Sequence, residues 1–415
     1  MDEKWIPALA RYAARLHGVA GDEHHVASPL GAWLLLALTA AATAPAQPDA
    51  DPAVAELAAV LGVEPGVAAE VAAGLLADPH PLVAVATAMW HAAGVDPEHR
   101  YAGLPEQTER GVIPDAAGLD RWARERTGGL IEKFPGDPAG VPVMLASALA
   151  ARVRWEVPFE VTAASALGAD SPWASRLTHV LRKPVRGHEA FVAGTDQAGD
   201  VIAHRAVATT EASDTRVALR VVSVAASRDV PPEDVLAAAY EIACDDRDRR
   251  RKPLADLPLG ESPLWTIREW AGSSEWCDAV LPCWSAASEH DLTGPGLGFG
   301  PAARALLAGT EMGGDAVEFG AVQSAMARFG RNGFDVASLT GLTVGGAAPE
   351  EPSRSRIAEL RFAHPYAVVA VATQQRWDDR RLIDGPWHGV PVFSAWVGEP
   401  EDVPVEDRDP DEWDD

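Results

Sequence analysis

The order of the sequence patterns constrains the fold of this chain more strongly than any single motif does. In the first third, apolar residues recur at helical spacing, as in the stripe Trp5, Leu9, Tyr12, Ala13 and Leu16. Further along, runs typical of strands predominate without regular alternation with helices, at 82–86, 141–153, 216–222, 280–288, 366–373 and 390–397. Helices first and many strands later predict an α+β fold with large mixed or antiparallel sheets.

The charge of the chain excludes two classes of partner. Its 415 residues include 35 Lys and Arg against 61 Asp and Glu, a formal net charge of −26. So acidic a chain repels nucleic acid phosphates and anionic membranes, and we expect neither as a partner. Part of the imbalance is local, because Glu399 to Asp415 holds ten acidic residues and only one basic residue. We therefore predict one domain at 1–398 and a disordered acidic tail at 399–415.

Targeting signals and cysteines together predict a cytoplasmic protein. The longest apolar stretch, Pro29 to Ala42, is too short to cross a bilayer of about 30 Å. The first residues lack the basic start, apolar run and cleavage site of a signal peptide. Cys244, Cys277 and Cys283 cannot all pair with one another and form no metal-ligand pattern, which indicates thiols in a reducing compartment. Few Asn and Lys beside many Ala, Arg, Gly and Pro indicate a GC-rich, bacterial source.

No motif supports catalysis, a cofactor or a metal site. The Gly-rich stretch at 296–300 has no strand leading into it and is flanked by prolines, unlike a phosphate-binding loop. His24 and His25 have no Cys or acidic partner at ligand spacing, so we expect exposed histidines. No Gly-x-Ser-x-Gly nucleophile elbow occurs. We therefore predict a protein that is not an enzyme.

Six sequence blocks in a fixed order resemble the serpin family, and Ser28-Pro29 in the first of them also predicts a helix start. The blocks, each similar to a serpin segment, are His25 to Leu30, Leu119 to Ile131, Leu145 to Phe159, Leu281 to Leu292, Phe362 to Tyr366 and Val390 to Pro400. The resemblance spans about 375 residues. It implies a divergent, bacterial member with a serpin-like α+β fold, helices packed on large sheets and an exposed reactive-centre loop.

The resemblance also implies a function. Serpins inhibit serine proteases with a bait loop that, once cut, inserts into the main sheet as an extra strand and distorts the captured protease. On that basis we expect a monomeric inhibitor whose partner is a serine protease. The alternative is a non-inhibitory serpin-fold binding protein whose loop does not insert.

Matching the family's motifs residue by residue gives candidate sites. The predicted loop hinge comprises Gly333, Phe334, Asp335, Val336, Ala337 and Ser338. The predicted region where the sheet opens comprises Ser28, Gly31, Ser147, Trp155 and Gln323. Two scissile bonds stay open: counting back from Phe362 gives Arg354–Ser355, which suits a trypsin-like protease, and counting forward from Gly333 gives Ala347–Ala348, which suits an elastase-like one.

One hinge position departs from the family's pattern. Phe334 stands where inhibitory relatives carry a small residue, and burying its ring in a tight slot is expected to cost about 1–3 kcal/mol by overpacking. Inhibitory relatives also carry an Asn and a His where the sheet opens, and both are missing at the matching positions here. Phe334, Gln323 and the missing Asn therefore favour the binding-protein alternative. The alternation of the loop favours insertion, because one face of the extended segment would be apolar or hydroxyl-bearing, as formed by Phe334, Val336, Ser338, Thr340, Leu342 and Val344.

Overall fold

The computed structural model describes residues 5–43, 52–93, 103–209, 215–245, 247–271, 275–307, 319–334, 354–378 and 381–408. Seven α-helices lie within these residues: α1 (Trp5–Ala20), α2 (Pro29–Thr43), α3 (Pro52–Leu61), α4 (Pro65–Ala77), α5 (Ala116–Arg126), α6 (Pro232–Ala243) and α7 (Phe299–Leu307). The apolar stripe predicted for α1 is confirmed, because all five of its residues are buried. Helix α2 is buried at 13 of its 15 positions and is therefore a central core helix.

No single described helix is long and apolar enough to cross a membrane. Helices α3 and α4 reach that length and composition only as a pair bent by 55°. The predicted start of α2 is confirmed, with Pro29 as the first helical residue. The Ser28 hydroxyl accepts a hydrogen bond from the Gly31 amide at 3.2 Å and so satisfies one amide of the first turn.

The described residues form twenty-one strands. In chain order these are β1 (His25–Ala27), β2 (Ala84–His91), β3 (Glu109–Val112), β4 (Val143–Ala150), β5 (Val153–Arg154), β6 (Glu160–Ala163), β7 (His179–Arg182), β8 (His188–Thr195), β9 (Gly199–Thr209), β10 (Thr215–Ala225), β11 (Arg251–Lys252), β12 (Gly260–Glu261), β13 (Trp265–Ala271), β14 (Trp276–Leu281), β15 (Trp284–Asp291), β16 (Val322–Phe329), β17 (Gly333–Phe334), β18 (Arg354–Arg361), β19 (Tyr366–Asp378), β20 (Arg381–Asp384) and β21 (Val390–Val397).

The strands assemble into five sheets. The largest has the order β1-β21-β19-β10-β9-β8-β11, with β20 paired to β19, and a six-stranded sheet has the order β12-β13-β18-β14-β7-β6. A three-stranded sheet β3-β2-β4 and the pairs β15-β16 and β17-β5 complete the set. Among the strand pairs of the described residues, only β14–β18 and β2–β3 are parallel. The predicted α+β class with mixed and antiparallel sheets is confirmed.

The largest sheet is covered on both faces. Alternate side chains of β10 belong to different clusters: Val222 and Val224 pack with α6, whereas Leu219 and Val221 join the main core around α2. This alternation follows from the two-residue period of a strand. Strand β21 is buried at all eight positions, as expected for a strand with both faces covered.

The ordered structure continues past the boundary that the sequence predicted. Residues 399–408 pack against the domain, Val403 is fully buried, and a 3₁₀ turn spans Val405–Asp407. These ten residues are therefore ordered and do not belong to the disordered tail predicted from Glu399, although Glu399, Glu401, Val405 and Glu406 are exposed. The backbone amides of Thr178 and His179 donate hydrogen bonds to the carboxylate of Asp402. The tail was predicted from its number of charges, which does not reveal such hydrogen bonds. Residues 409–415 lie outside the described part.

Buried histidines tie four elements together. His25, expected to be exposed, is only 4% exposed, and its Nδ1–H donates to the Glu23 carbonyl at 2.8 Å. Its Nε2 accepts from His17 Nδ1–H at 2.7 Å, and His17 Nε2 accepts from the Ser394 hydroxyl at 2.6 Å. The Tyr240 hydroxyl donates to Ser394 Oγ at 2.9 Å. Because a carbonyl only accepts, Glu23 fixes the direction of the whole chain.

This arrangement requires neutral histidines. Burial, together with the neighbouring His25 and His290, lowers the pKa of His17 to about 3. Burial also lowers the pKa of His25. The unfolded chain, with a histidine pKa of about 6.5, therefore binds more protons than the folded protein below that pH.

We expect acid to destabilise the protein through this cluster. As the pH falls from 7 to 4.5, protonation of unfolded His17 alone should lower the free energy of unfolding by about 2–3 kcal/mol. The variant His17→Gln, which has a donor and an acceptor but does not titrate, should lose less over the same range. Denaturant unfolding at several pH values measures the difference.

The control is His179→Gln, which changes a partly exposed histidine. Its pH dependence should match that of the unmodified protein. Parallel stability curves for His17→Gln and the unmodified protein would contradict the role of this cluster.

Candidate functional site

Two strands border a groove without pairing to each other. Strand β4 pairs with β2, and β16 pairs with β15, but no ladder joins β4 to β16 in the described residues. Both strands line one cavity, together with part of α5, the segment 127–135, the start of α2 and Phe393. Backbone groups on unpaired strand edges are available to another strand. The groove therefore has the form of a slot for an additional strand.

The groove walls carry small side chains. Alanines line it from both sides, namely Ala146, Ala148, Ala150, Ala151, Ala325 and Ala327. Larger side chains of β4 and β16, among them Leu145, Leu149 and Met326, also line the groove, so small residues form only part of its walls.

The lower groove is organised around Ser28. Gln323 of β16 accepts from the Ser28 amide at 2.9 Å and donates to the Ser28 carbonyl at 2.8 Å. The Ser28 hydroxyl donates to the Val392 carbonyl of β21 at 2.9 Å. Ser147 of β4 donates to the Gly31 carbonyl at 2.9 Å. The structure thus brings together Ser28, Gly31, Ser147 and Gln323, which the sequence predicted as one region.

Gly31 permits this close approach. A Cβ atom there would lie 3.2 Å from Leu149 Cδ1 and from Ser28 Oγ, and 3.4 Å from Ser147 Oγ. The two 3.2 Å spacings are tighter than most Cβ contacts, so a side chain at this position would require Leu149 and Ser28 to shift by a few tenths of an ångström.

The upper groove is built around Trp155. This residue is 4% exposed, and its indole Nε1 donates to the Gly330 carbonyl at 3.0 Å. Its ring centroid lies 5.3 Å from that of Phe329 and 6.3 Å from that of Phe159. The predicted Trp155 position therefore lies where β16 ends and the chain turns towards β17.

Two histidines beneath Trp155 leave this end uncharged. His188 lies 6.1 Å from Trp155 between ring centroids and donates through Nε2 to the Val157 carbonyl at 2.8 Å. Burial lowers the pKa of His188 to about 4. Burial also lowers the pKa of His204, which lies 3.2 Å from His188 between ring nitrogens. Both rings are therefore neutral at neutral pH.

The first two predicted hinge residues form strand β17, which pairs with β5 in a two-stranded sheet. Gly333 pairs with Arg154 and Phe334 with Val153 in an antiparallel ladder. A Cβ atom on Gly333 would lie 2.2 Å from the Val153 carbonyl oxygen, so only glycine allows β17 to approach β5 this closely.

Phe334 is buried rather than excluded. It is 5% exposed, lines the groove, and lies 6.4 Å from Trp284 between ring centroids. Alanines of β4 and β16 line the same groove. The overpacking expected from the sequence concerns insertion of the cut loop and stays a prediction.

The remaining predicted loop residues divide into two groups. Outside the described residues lie Asp335, Val336, Ala337, Ser338, Ala347 and Ala348. Arg354 and Ser355 begin β18, where Ser355 pairs with Trp270 and is 9% exposed. Cleavage requires accessible backbone, so the exposed Arg354–Ser355 bond that the sequence predicted is not found.

Sequence reasoning missed several residues around the hinge. Phe159, Arg331 and Asn332 hold the turn between β16 and β17, with the Phe159 amide donating to the Arg331 carbonyl at 3.0 Å. Short polar and glycine-rich sequence at 330–333 signals a turn but does not identify its partners. The described residues contain no group of three or more His, Cys, Asp or Glu able to hold a metal ion.

We expect Gly333→Ala to detach β17 from β5. Its methyl group would collide with the Val153 carbonyl, and relief of that contact should cost about 1–3 kcal/mol of stability. Hydrogen–deuterium exchange in the segment containing Phe334 should increase. Gly330→Ala is the matched control, because a Cβ at Gly330 meets no atom within 4 Å. Equal exchange in both variants would contradict the contact.

Comparison with known proteins identifies the fold. No family model and no curated protein sequence matches the chain. Solved structures do match: a serpin from the trematode Schistosoma haematobium (12% identity, TM-score 0.57, 96% of this chain and 100% of that one), human thyroxine-binding globulin (12%, 0.60, 96% and 98%) and human kallistatin (14%, 0.56, 97% and 99%). Together with the sheet topology, these similarities show that the chain has the serpin fold.

Proposed function

We propose that this protein inhibits a serine protease by inserting its cut loop into the groove between β4 and β16. The observation that carries the proposal is β17, a two-residue strand already paired at the upper end of that groove. An inserting loop would continue β17 downwards between the two unpaired edges.

The lengths are compatible with this movement. Strands β4 and β16 each have eight residues, and nineteen residues separate Phe334 from Arg354. A strand advances about 3.3 Å per residue, so eight or nine loop residues would span the groove. Each would gain backbone hydrogen bonds worth roughly 1 kcal/mol, and this gain would drive the insertion.

The chemistry then belongs to the protease. Its serine would attack a loop carbonyl, the loop's amine end would leave, and the carbonyl carbon would stay bound as an ester. Movement of the attached loop into the sheet would pull the protease away before water hydrolyses that ester. The inhibitor itself would supply no catalytic group. The predicted serine-protease partner, monomeric state and cytoplasmic location stay predictions.

The alternative is a binding protein in which β4 and β16 do not move apart and the loop does not insert into the groove. Gln323 favours it, because this residue holds both backbone groups of Ser28 and so ties β16 to the start of α2. Parting β16 from that corner would break two hydrogen bonds at once. Thyroxine-binding globulin complexed with thyroxine is also similar in fold, so binding without inhibition is compatible with this architecture.

We expect a covalent complex with a protease of elastase or trypsin specificity. The purified protein is mixed with each enzyme and analysed by denaturing electrophoresis, where an ester-linked complex should persist. Mass spectrometry of the released fragment identifies the bond that is cut. Cleavage after Arg354 would require β18 to open first, because Ser355 is buried there. Rapid loop cleavage by both proteases without any complex would contradict inhibition of either class.

Cleavage should also stabilise the protein. About eight added backbone hydrogen bonds, spread over a chain of this size, should raise the Tm by about 10 °C or more. Differential scanning calorimetry before and after loop cleavage measures the rise. An unchanged Tm, with no complex formed, would support the binding-protein alternative instead.

A further inference from the structure

The last described residues form a strap across the surface. We call residues 399–408 the C-terminal strap. It follows β21 and crosses the start of β15, where the Glu401 amide donates to the Cys283 carbonyl at 2.7 Å. The Glu401 carboxylate also accepts a hydrogen bond from the Ser285 hydroxyl.

The middle of the strap is anchored by Asp402. Its carboxylate accepts from the Thr178 amide at 3.1 Å, the Thr178 hydroxyl at 2.6 Å and the His179 amide at 2.8 Å. Partial burial acts to raise the pKa of Asp402, but these hydrogen bonds and nearby Arg408 outweigh it and lower the pKa overall. The next side chain, Val403, is fully buried.

The strap closes on itself at its far end. Arg408 donates through Nε to the Val403 carbonyl at 2.7 Å and lies 3.4 Å from the Asp402 carboxylate. This arrangement holds the 3₁₀ turn Val405–Asp407 in place. Asp407 then accepts a hydrogen bond from Asn332 Nδ2 at 2.8 Å.

Asn332 belongs to the turn that precedes the hinge. The three carbonyls of this turn face the segment 155–159: Gly330 accepts from the Trp155 indole at 3.0 Å, Arg331 from the Phe159 amide at 3.0 Å, and Asn332 from the Trp155 amide at 3.1 Å. The main chain of the turn is thus fixed by the domain, and the Asn332 side chain is held by the strap.

We propose that the C-terminal strap positions the hinge turn, with Asp407 and Asn332 as the positioning pair. Gly333 follows Asn332 directly, so the pair helps to fix the register in which Phe334 meets Val153. This inference rests on the proposed function, because a hinge held in register is the template along which a cut loop would continue into the groove. On this inference, the C-terminal strap regulates insertion of the cut loop into the groove.

The test measures hydrogen–deuterium exchange of the segments containing Gly330 and Trp155, whose amides donate to carbonyls of Gly333 and Asn332. Asp407→Ala should raise exchange there by a factor on the order of five to ten, as expected for loss of one charge-assisted hydrogen bond. Asp407→Asn has an acceptor oxygen and should restore slow exchange. Glu406→Ala, an exposed carboxylate in the same turn, should change nothing.

A second measurement separates this inference from the function beneath it. The second measurement follows the Tm at successive times after loop cleavage. The increase in Tm should take longer to develop in Asp407→Ala than in Asp407→Asn or Glu406→Ala. Unchanged exchange in Asp407→Ala, or an equal effect of Glu406→Ala, overturns the positioning role. If exchange responds as expected but no variant gains in Tm, the strap assignment stands and loop insertion fails.

Discussion

Ser28 is hydrogen-bonded through its amide, carbonyl and hydroxyl groups, and both walls of the groove depend on that corner. Gln323 connects it to β16, and its hydroxyl reaches Val392 of β21. One turn further, the Gly31 carbonyl receives Ser147 of β4. The first turn of α2 therefore supports β4 and β16 separately, which lets the two strands lie near each other without pairing. Because no backbone hydrogen bonds join β4 to β16, their contacts with the first turn of α2 hold the two walls of the groove in place.

Part of the lower groove could be predicted from the sequence, because Ser28 and Ser147 lie in blocks that resemble serpin segments. Gly31 directly follows the first block, whereas Gln323 lies outside all six blocks and was matched from the family's pattern alone. Trp155 was found in the same way as Ser28 and Ser147. In these cases local sequence carries the information, since each residue's role follows from the element in which it lies.

Prediction failed where the outcome depended on contacts between distant segments. The C-terminal strap was judged by its charge, but Asp402 is held by backbone amides of Thr178 and His179. His25 was judged by the absence of ligand partners, although His17 and Ser394 bury it in a hydrogen-bonded chain. Ser394 and the segment 178–179 lie hundreds of residues from the side chains they hold, and even His17 lies outside the local window in which partners of His25 were sought.

The pairing of β1 with β21 has a consequence for synthesis of the chain. His25 lies opposite Trp396, so β1 cannot pair in the largest sheet until β21, near the end of the chain, has been synthesised. Strand β10 likewise forms ten residue pairs with β19, and the two members of each pair lie about 150 positions apart in the sequence. Contacts of such long range fold slowly, because the entropy of closing the loop is lost before the ladder forms. On the ribosome, β10 is left with an open apolar edge until nearly the whole chain has emerged, which makes nascent chains dependent on protection from aggregation.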